Sequence, residues 1–239
     1  MIVGIIPARG GSKGIPGKNL KELGKKKLIN YTIDAAIHSG YLDDIIVSTE
    51  DESISDSVVS NFSPAVDVNQ RPSCLAQDHV QVDEVVLYTL RQLELAGLDI
   101  ELVVVLQPTS PFRTARHVDE AIRQYRAVNT NTWPLAQNHT VFSAYQPDGY
   151  AYMMDGATAL PIDHNPEKRT GRQYEDPPDL AIENGAIYVV DAKRLSSERT
   201  FRAQPMSPYF MGYWESMEID NMGDWFLAEA YLENKNEWK

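Results

Sequence analysis

MIVGIIPARGGSKGIPGKN, residues 1–19, opens the chain and decides how the rest is read. Residues 2–7 form a short apolar run stopped by Pro7, the mark of a buried strand. Directly behind it come glycines at 10, 11, 14 and 17, with three positive charges at Arg9, Lys13 and Lys18. Two common glycine-rich loops are excluded by spacing. Gly17-Lys18 is followed by Asn19 and lacks the GxxxxGK[ST] register, and no GxGxxG occurs. What remains is a flexible loop whose successive N–H groups, from Gly10 to Ser12, can line an anion-binding concavity, with Arg9 and Lys13 adding charge. The alternative is a solvated turn. The polyanion reading points to a nucleoside triphosphate.

Working outward, apolar periods alternate. LINYTIDAAIHSG (28–40) carries Leu28, Ile29, Ile33, Ala36 and Ile37 at helical spacing, with Gly40 able to end the helix. DIIVST (44–49) reads as a second strand, DESISDSVVS (51–60) as a helix and AVDV (65–68) as a short third strand. Val82, Val85, Val86, Leu90 and Leu93 predict a helix over 80–97. ELVVVLQ (101–107) is apolar on both faces, as a central parallel strand is, and a helix from about 116 to 127 follows. This order predicts an α/β fold with a mostly parallel, doubly wound sheet. Ligands in such sheets lie beyond the carboxyl ends of the strands, so the 8–19 loop and the 107–113 segment should face one cleft.

Past residue 130 the pattern weakens. VFSAY (141–145) and YAYMM (150–154) predict a hairpin around 147–149, and the polar, proline-rich stretch 161–179 reads as a loop. AIYVVD (186–191) predicts a buried strand, WESMEID (214–220) a final strand, and GDWFLAEAYLENK (223–235) a closing amphipathic helix. One domain over 1–239 is expected, with an excursion at about 140–180.

Composition narrows the function. With 34 acidic against 22 basic residues and a net charge of -12, a general nucleic-acid surface is not expected. Seven of the 22 cations nevertheless fall within the first 27 positions, and local charge sets the field in a cleft. No run approaches the roughly 20 apolar residues that span a bilayer, so no membrane partner is expected. Met1 leads straight into a strand, no leader is expected, and a cytoplasmic location fits. Cys74 is the single cysteine, which excludes an internal disulfide, and it reads as structural. Glu218 and Asp220 alternate on the expected strand and so share a face, where they repel unless a cation intervenes. They are the metal candidates, and Mg²⁺ suits hard carboxylate oxygens. Asp224 reads as a cap of the last helix, His164 beside Asp163 as a loop residue, and Gln107 as a polar group at the cleft mouth.

Five blocks stand in order along the chain: PARGGSKGIPGKN (7–19), RPSCLAQD (71–78), LQPTSPFR (106–113), ENGAIYVV (183–190) and SMEIDNMGDW (216–225). Together they resemble the CMP-sialic acid synthetases, the acylneuraminate cytidylyltransferases. The resemblance implies a Rossmann-like nucleotidyltransferase fold with a small dimerisation excursion, and a homodimer. It implies that CTP and a nine-carbon 2-keto-3-deoxy acid sugar give the CMP-sugar and pyrophosphate, with Mg²⁺ as cofactor. By the same resemblance Ala8, Arg9, Gly10, Gly11, Ser12, Lys13, Asn19, Arg71 and Ala76 bind CTP, with Arg71 reading the cytosine ring. Asn19, Gln107, Arg172, Asn184 and Tyr188 meet the sugar, and Arg9, Lys13 and Asp220 take the catalytic roles.

Some readings stay open at this level. Asn19 also reads as a local loop cap, Arg71 as a surface arginine and Tyr188 as core. Arg172 suits bidentate carboxylate recognition, with Arg169 competing. The family's Asp-x-Asp is Glu-x-Asp here, which makes Asp220 the stronger ligand and leaves open whether Glu218 ligates directly. The acceptor alternatives are legionaminate or pseudaminate types, and the stretch 141–154 lacks a basic residue that N-acetylneuraminate would call for. Kdo or sugar 1-phosphate enzymes share the fold, but the GGSKGIPGKN form argues against them. Arg9, Lys13, Gln107 and Asp220 together argue against a catalytically silent nucleotide-binding protein.

Overall fold

The computed structural model describes residues 1–129, 139–147, 151–162 and 180–234. The amino-terminal half runs β1 (Ile2–Pro7), a two-stranded hairpin of β2 (Glu22–Leu23) and β3 (Lys26–Lys27), α1 (Leu28–Ile37), β4 (Asp44–Thr49) and α2 (Glu52–Phe62). Then come β5 (Asp67–Gln70), α3 (Val82–Leu95), β6 (Leu102–Leu106) and α4 (Ala115–Val128). The rest comprises β7 (Thr140–Tyr145), β8 (Tyr152–Asp155), β9 (Thr158–Pro161), β10 (Ile182–Asp191), α5 (Ala192–Glu198), β11 (Met206–Phe210) and α6 (Met222–Asn234).

Seven strands make one sheet in the order β11-β7-β10-β6-β1-β4-β5. The block from β6 to β5 is parallel throughout. Only β10 runs the other way, antiparallel to both β6 and β7, while β11 pairs with β7 in parallel. The alternation of side chains along each strand sorts the core onto two faces. Leu102, Val104 and Leu106 pack with Ile29 and Ile33 of α1, Val58 of α2 and Ile122 of α4. Val103 and Val105 pack with Val86 and Leu90 of α3 and Leu195 of α5. Burying each of these aliphatic side chains contributes about 1.5–3 kcal/mol, which is why a strand apolar on both faces takes the centre.

A third, smaller cluster matters most for the site. Ile15 from the glycine-rich loop, Leu23, Leu28, Phe112 and Ile219 converge on Trp225 and Ala228 of α6. It fastens the loop behind β1 to the segment that carries Glu218 and Asp220.

Several expectations need correction. Residues 214–220 are not a strand: the edge position beside β7 belongs to β11, and the chain turns through 213–216 and then returns toward the cleft. Residues 141–145 do not pair with 152–154, and most of the turn expected around 147–149 lies outside the described residues. β7 enters the main sheet because Val141 and Ala144 are fully buried there, whereas β8 pairs with β9. The third strand lies two residues later than expected, at Asp67–Gln70. Helix α6 is not cleanly amphipathic: Trp225 and Ala228 turn inward while Phe226 and Leu227 stay exposed. No helix among the described residues is long and apolar enough to cross a membrane.

Candidate active site

The chain leaves β1 at Pro7 and β6 at Leu106, and both exits open into one cleft of about 280 Å³. Arg9, Gly11, Ser12, Lys18 and Asn19 line it from the glycine-rich loop, and Gln107, Pro108 and Thr109 from the β6 exit. Arg71 and residues 75–78 form another wall, Val82 and Val85 of α3 the apolar floor, and Glu218 and Asp220 close the far side. The carboxyl-end location is where an α/β sheet leaves main-chain groups free for a ligand.

The loop is positioned from within. The Ala8 N–H donates to the Ser48 carbonyl at 2.9 Å, and the Gly10 N–H donates to Glu50 Oε1 at 2.8 Å. Gly17 sits at φ +62, a left-handed conformation that starts the 3-10 turn Lys18–Leu20. That turn swings Lys18 inward. Its side chain is buried, and Nζ donates to the Ile219 carbonyl at 2.5 Å and to Asp220 Oδ1 at 3.2 Å. Asn19 Nδ2 donates to the Arg9 carbonyl at 2.9 Å, while Asn19 Oδ1 is buried without a partner among the described residues.

Opposite, Arg71 is 4% exposed. It donates to the Ser48 carbonyl at 3.0 Å and to Glu50 Oε2 at 2.7 Å, and its Nε has no partner among the described residues. Burial pulls its pKa down, and Glu50 opposes that shift. Arg9 Nη1 and Lys13 Nζ both reach Asp78, at 3.0 and 2.9 Å. The Lys13 ammonium first, then the Arg9 guanidinium, hold the Asp78 carboxyl below its ordinary range.

Glu218 and Asp220 face the cleft although they lie on no strand. The Ile219 N–H donates to the Thr109 carbonyl at 2.8 Å and its side chain is fully buried, so its two neighbours turn to the open side. Thr109 Oγ1 donates to Glu218 Oε1 at 3.2 Å. Burial, and secondly the Asp220 charge, push the Glu218 pKa up. Gly185 lies between Gln107 and Glu218: at φ +66, a Cβ would stand 3.1 Å from Gln107 Nε2 and 3.2 Å from Glu218 Oε1. Behind the cleft, the buried Arg113 donates to the Gln107 and Ala186 carbonyls and to Thr32 Oγ1, and burial lowers its pKa to about 9.

Of the expected site residues, the cleft brings together Arg9, Gly11, Ser12, Asn19, Arg71, Ala76, Gln107, Glu218 and Asp220. Ala8 is buried just behind it, Gly10 faces Glu50, and Lys13 stands at the rim with 78% of its side chain exposed. Two expected sugar contacts do not line it. Asn184 directs its side chain inward, between Ser143 Oγ at 2.6 Å and Ser216 Oγ at 2.8 Å, where it ties β10 to β7. Tyr188 packs against Phe201 in the core and donates to Glu183. Arg172, Arg169 and His164 lie outside the described residues. Asp224 does join the cap of α6, its Oδ2 accepting from the Asp220 and Asn221 amides, while Asn221 Oδ1 accepts from Gly223 and Asp224. Lys18, Glu50, Asp78 and Thr109 belong to the site without having been assigned to it. Lys18, Asp78 and Thr109 sit inside blocks already marked, and Glu50 directly follows a strand's carboxyl end, so position was the available signal.

The family model for cytidylyltransferases matches residues 3–168. The chain is 30% identical to a CMP-N,N'-diacetyllegionaminic acid synthase of Legionella pneumophila, over 99% of this chain and 98% of that protein. It is 29% identical to an N-acylneuraminate cytidylyltransferase of Escherichia coli O18:K1:H7, over 100% of this chain but 54% of that protein, so it spans about half of that relative. A solved CMP:2-keto-3-deoxy-manno-octonic acid synthetase in complex with CTP superposes with a TM-score of 0.64 at 16% identity, covering 98% of this chain and 99% of that one. That likeness is one of fold.

Proposed function

The chain belongs to the cytidylyltransferase family, and on that premise we propose that it activates a nine-carbon acidic sugar with CTP. The sugar's anomeric oxygen bonds to the α-phosphorus, the bond from that phosphorus to the bridging oxygen breaks, and pyrophosphate leaves; the hydroxyl proton passes to solvent or to Asp220. One observation carries the reading: the glycine-rich loop and the pair Glu218 and Asp220 meet across a single cleft.

In this reading Arg9, Lys13 and the loop amides hold the triphosphate and take up charge on the leaving group, since phosphoryl transfer rests on positioning and electrostatic stabilisation. Lys18, buried beside Asp220, orients that carboxylate and adds a further positive charge. Arg71 Nε and Asn19 Oδ1, a buried donor and a buried acceptor without partners among the described residues, suit the polar atoms of a nucleotide. Gln107, and Arg172 for the carboxylate, serve the sugar.

Glu218 and Asp220 fit Mg²⁺, which takes one or two carboxylates alongside phosphate oxygens. The raised Glu218 pKa is the signature of a buried carboxylate beside a second anion, an arrangement a cation relieves. When bound, the ion neutralises phosphate oxygens; the side chains set where it sits. A cytoplasmic location in surface-glycan synthesis belongs to the same proposal, as does a homodimer. The hairpin of β8 and β9 leaves Met153, Met154 and Leu160 exposed, an apolar surface a second copy could cover, to be checked by sedimentation.

The test is phosphate release in the presence of pyrophosphatase, with CTP, Mg²⁺ and a panel of acid sugars. Turnover with N,N'-diacetyllegionaminate or another nine-carbon acid is expected. Turnover with Kdo alone would shift the substrate class, and no turnover together with no CTP binding would overturn the reading.

A further inference from the structure

The two cations assigned to the triphosphate share a single carboxylate. Asp78 Oδ1 lies 3.0 Å from Arg9 Nη1 and Oδ2 lies 2.9 Å from Lys13 Nζ. Asp78 does not reach in from a remote loop, because Leu75, Ala76 and Gln77 on the same segment line the cleft. The Asp78 side chain is 51% exposed, and ion pairs this open to water contribute little and yield readily to a better anion. Glu50 makes the contrast. Its carboxylate is largely buried against Arg71 and the Gly10 amide and belongs to the permanent frame.

We propose that Asp78 is a built-in competitor for the polyphosphate. It engages Arg9 and Lys13 when no polyphosphate is bound, releases them to the incoming triphosphate, and takes them back as pyrophosphate leaves. The proposal rests on the CTP reading above. Its physical content is selective. Displacing Asp78 weakens binding only of ligands that use both cations, so CTP and pyrophosphate are affected, whereas CMP, bearing the α-phosphate alone, is not. Asp78 thereby favours product release at the expense of affinity.

The experiment is calorimetric titration of the wild-type chain and of Asp78→Asn with CTP and pyrophosphate, each with Mg²⁺, and with CMP, at one fixed low ionic strength. Expected is about two- to tenfold tighter binding of CTP and pyrophosphate by the variant, with CMP unchanged. Equal tightening for all three would reduce the effect to net charge and overturn the inference. So would a variant that binds CTP no better, or worse, while the wild type binds it normally; the latter would mark Asp78 as part of the nucleotide or metal site. A wild-type chain that binds neither CTP nor pyrophosphate would overturn the CTP reading itself.

Discussion

Gly14 and Asp220 touch backbone to backbone: a Cβ on Gly14 would stand 1.9 Å from the Asp220 carbonyl oxygen. Neither partner can step back, because Ile15 and Ile219, adjacent to them in sequence, are both buried against Trp225. The glycine-rich loop and the acidic segment are 206 residues apart by number (220 − 14), yet they are held as one unit. The catalytic reading depends on this contact.

Gly14→Ala should therefore separate the two halves of the site. The expected loss in kcat/KM is about 100-fold or more, since displacement of reacting groups by around 1 Å has that effect. Steady-state kinetics with CTP as the varied substrate read it out, and an alanine variant of unchanged kcat/KM would refute the role given to the contact.

Asp220→Asn should fold normally, because 65% of that side chain is exposed. Turnover should fall by about two orders of magnitude or more, as the loss of a hard anionic oxygen would weaken placement of the proposed Mg²⁺. Near-normal activity at limiting Mg²⁺ would contradict the assignment.

Glu218→Gln should trade activity for stability. Burial, then Asp220, raise the Glu218 pKa above its ordinary 4.5, so the folded state binds the proton more tightly than the unfolded chain. That contribution is complete at low pH and disappears as pH climbs through the raised value. The metal-free variant should accordingly show a higher Tm than wild type at pH 7, with the gap closing in acid below 4.5. Thermal scans across pH in chelator decide the point; a gap that is absent at pH 7, or grows in acid, would count against it.

Arg113→Ala should destabilise the fold by about 3–5 kcal/mol, because it removes the buried guanidinium that donates to the Ala186 carbonyl, to Thr32 Oγ1 and, alongside the Ser110 amide, to the Gln107 carbonyl. Arg113→Lys should recover only part of this, since one ammonium cannot span acceptors on β10, α1 and the β6 exit. Denaturant unfolding midpoints measure the difference, and an alanine variant as stable as wild type would rule it out.

Much of this was readable in one dimension. β1, β6 and the helices α1 to α4 announce themselves through local periodicity, as each buries a stripe or a face set by neighbours a few residues away. The glycine-rich loop was legible for a related reason: it follows a strand and concentrates charge. Residues 214–220 were misread because an apolar alternation says that one side is buried but not what covers it. Here Ile219 is buried in the cluster around Trp225 of α6, and residues 214–220 pair with no strand among the described residues. Asn184 and Tyr188 share a block with Gly185, which lies against Gln107 and Glu218, yet Asn184 is held between Ser143 and Ser216 and Tyr188 packs on Phe201, contacts that distant segments supply.

Chain order and composition by themselves determined the α/β class and the position of the glycine-rich, cationic loop, and pointed to a polyanionic ligand, since strand, turn and charge are properties of short stretches. Which cation meets which carboxylate was decided only by the folded chain. Lys18 pairs with Asp220 and Arg9 with Asp78 because α6 and the 71–81 segment are packed against the loop, and such distances depend on how distant surfaces bury one another rather than on any local preference.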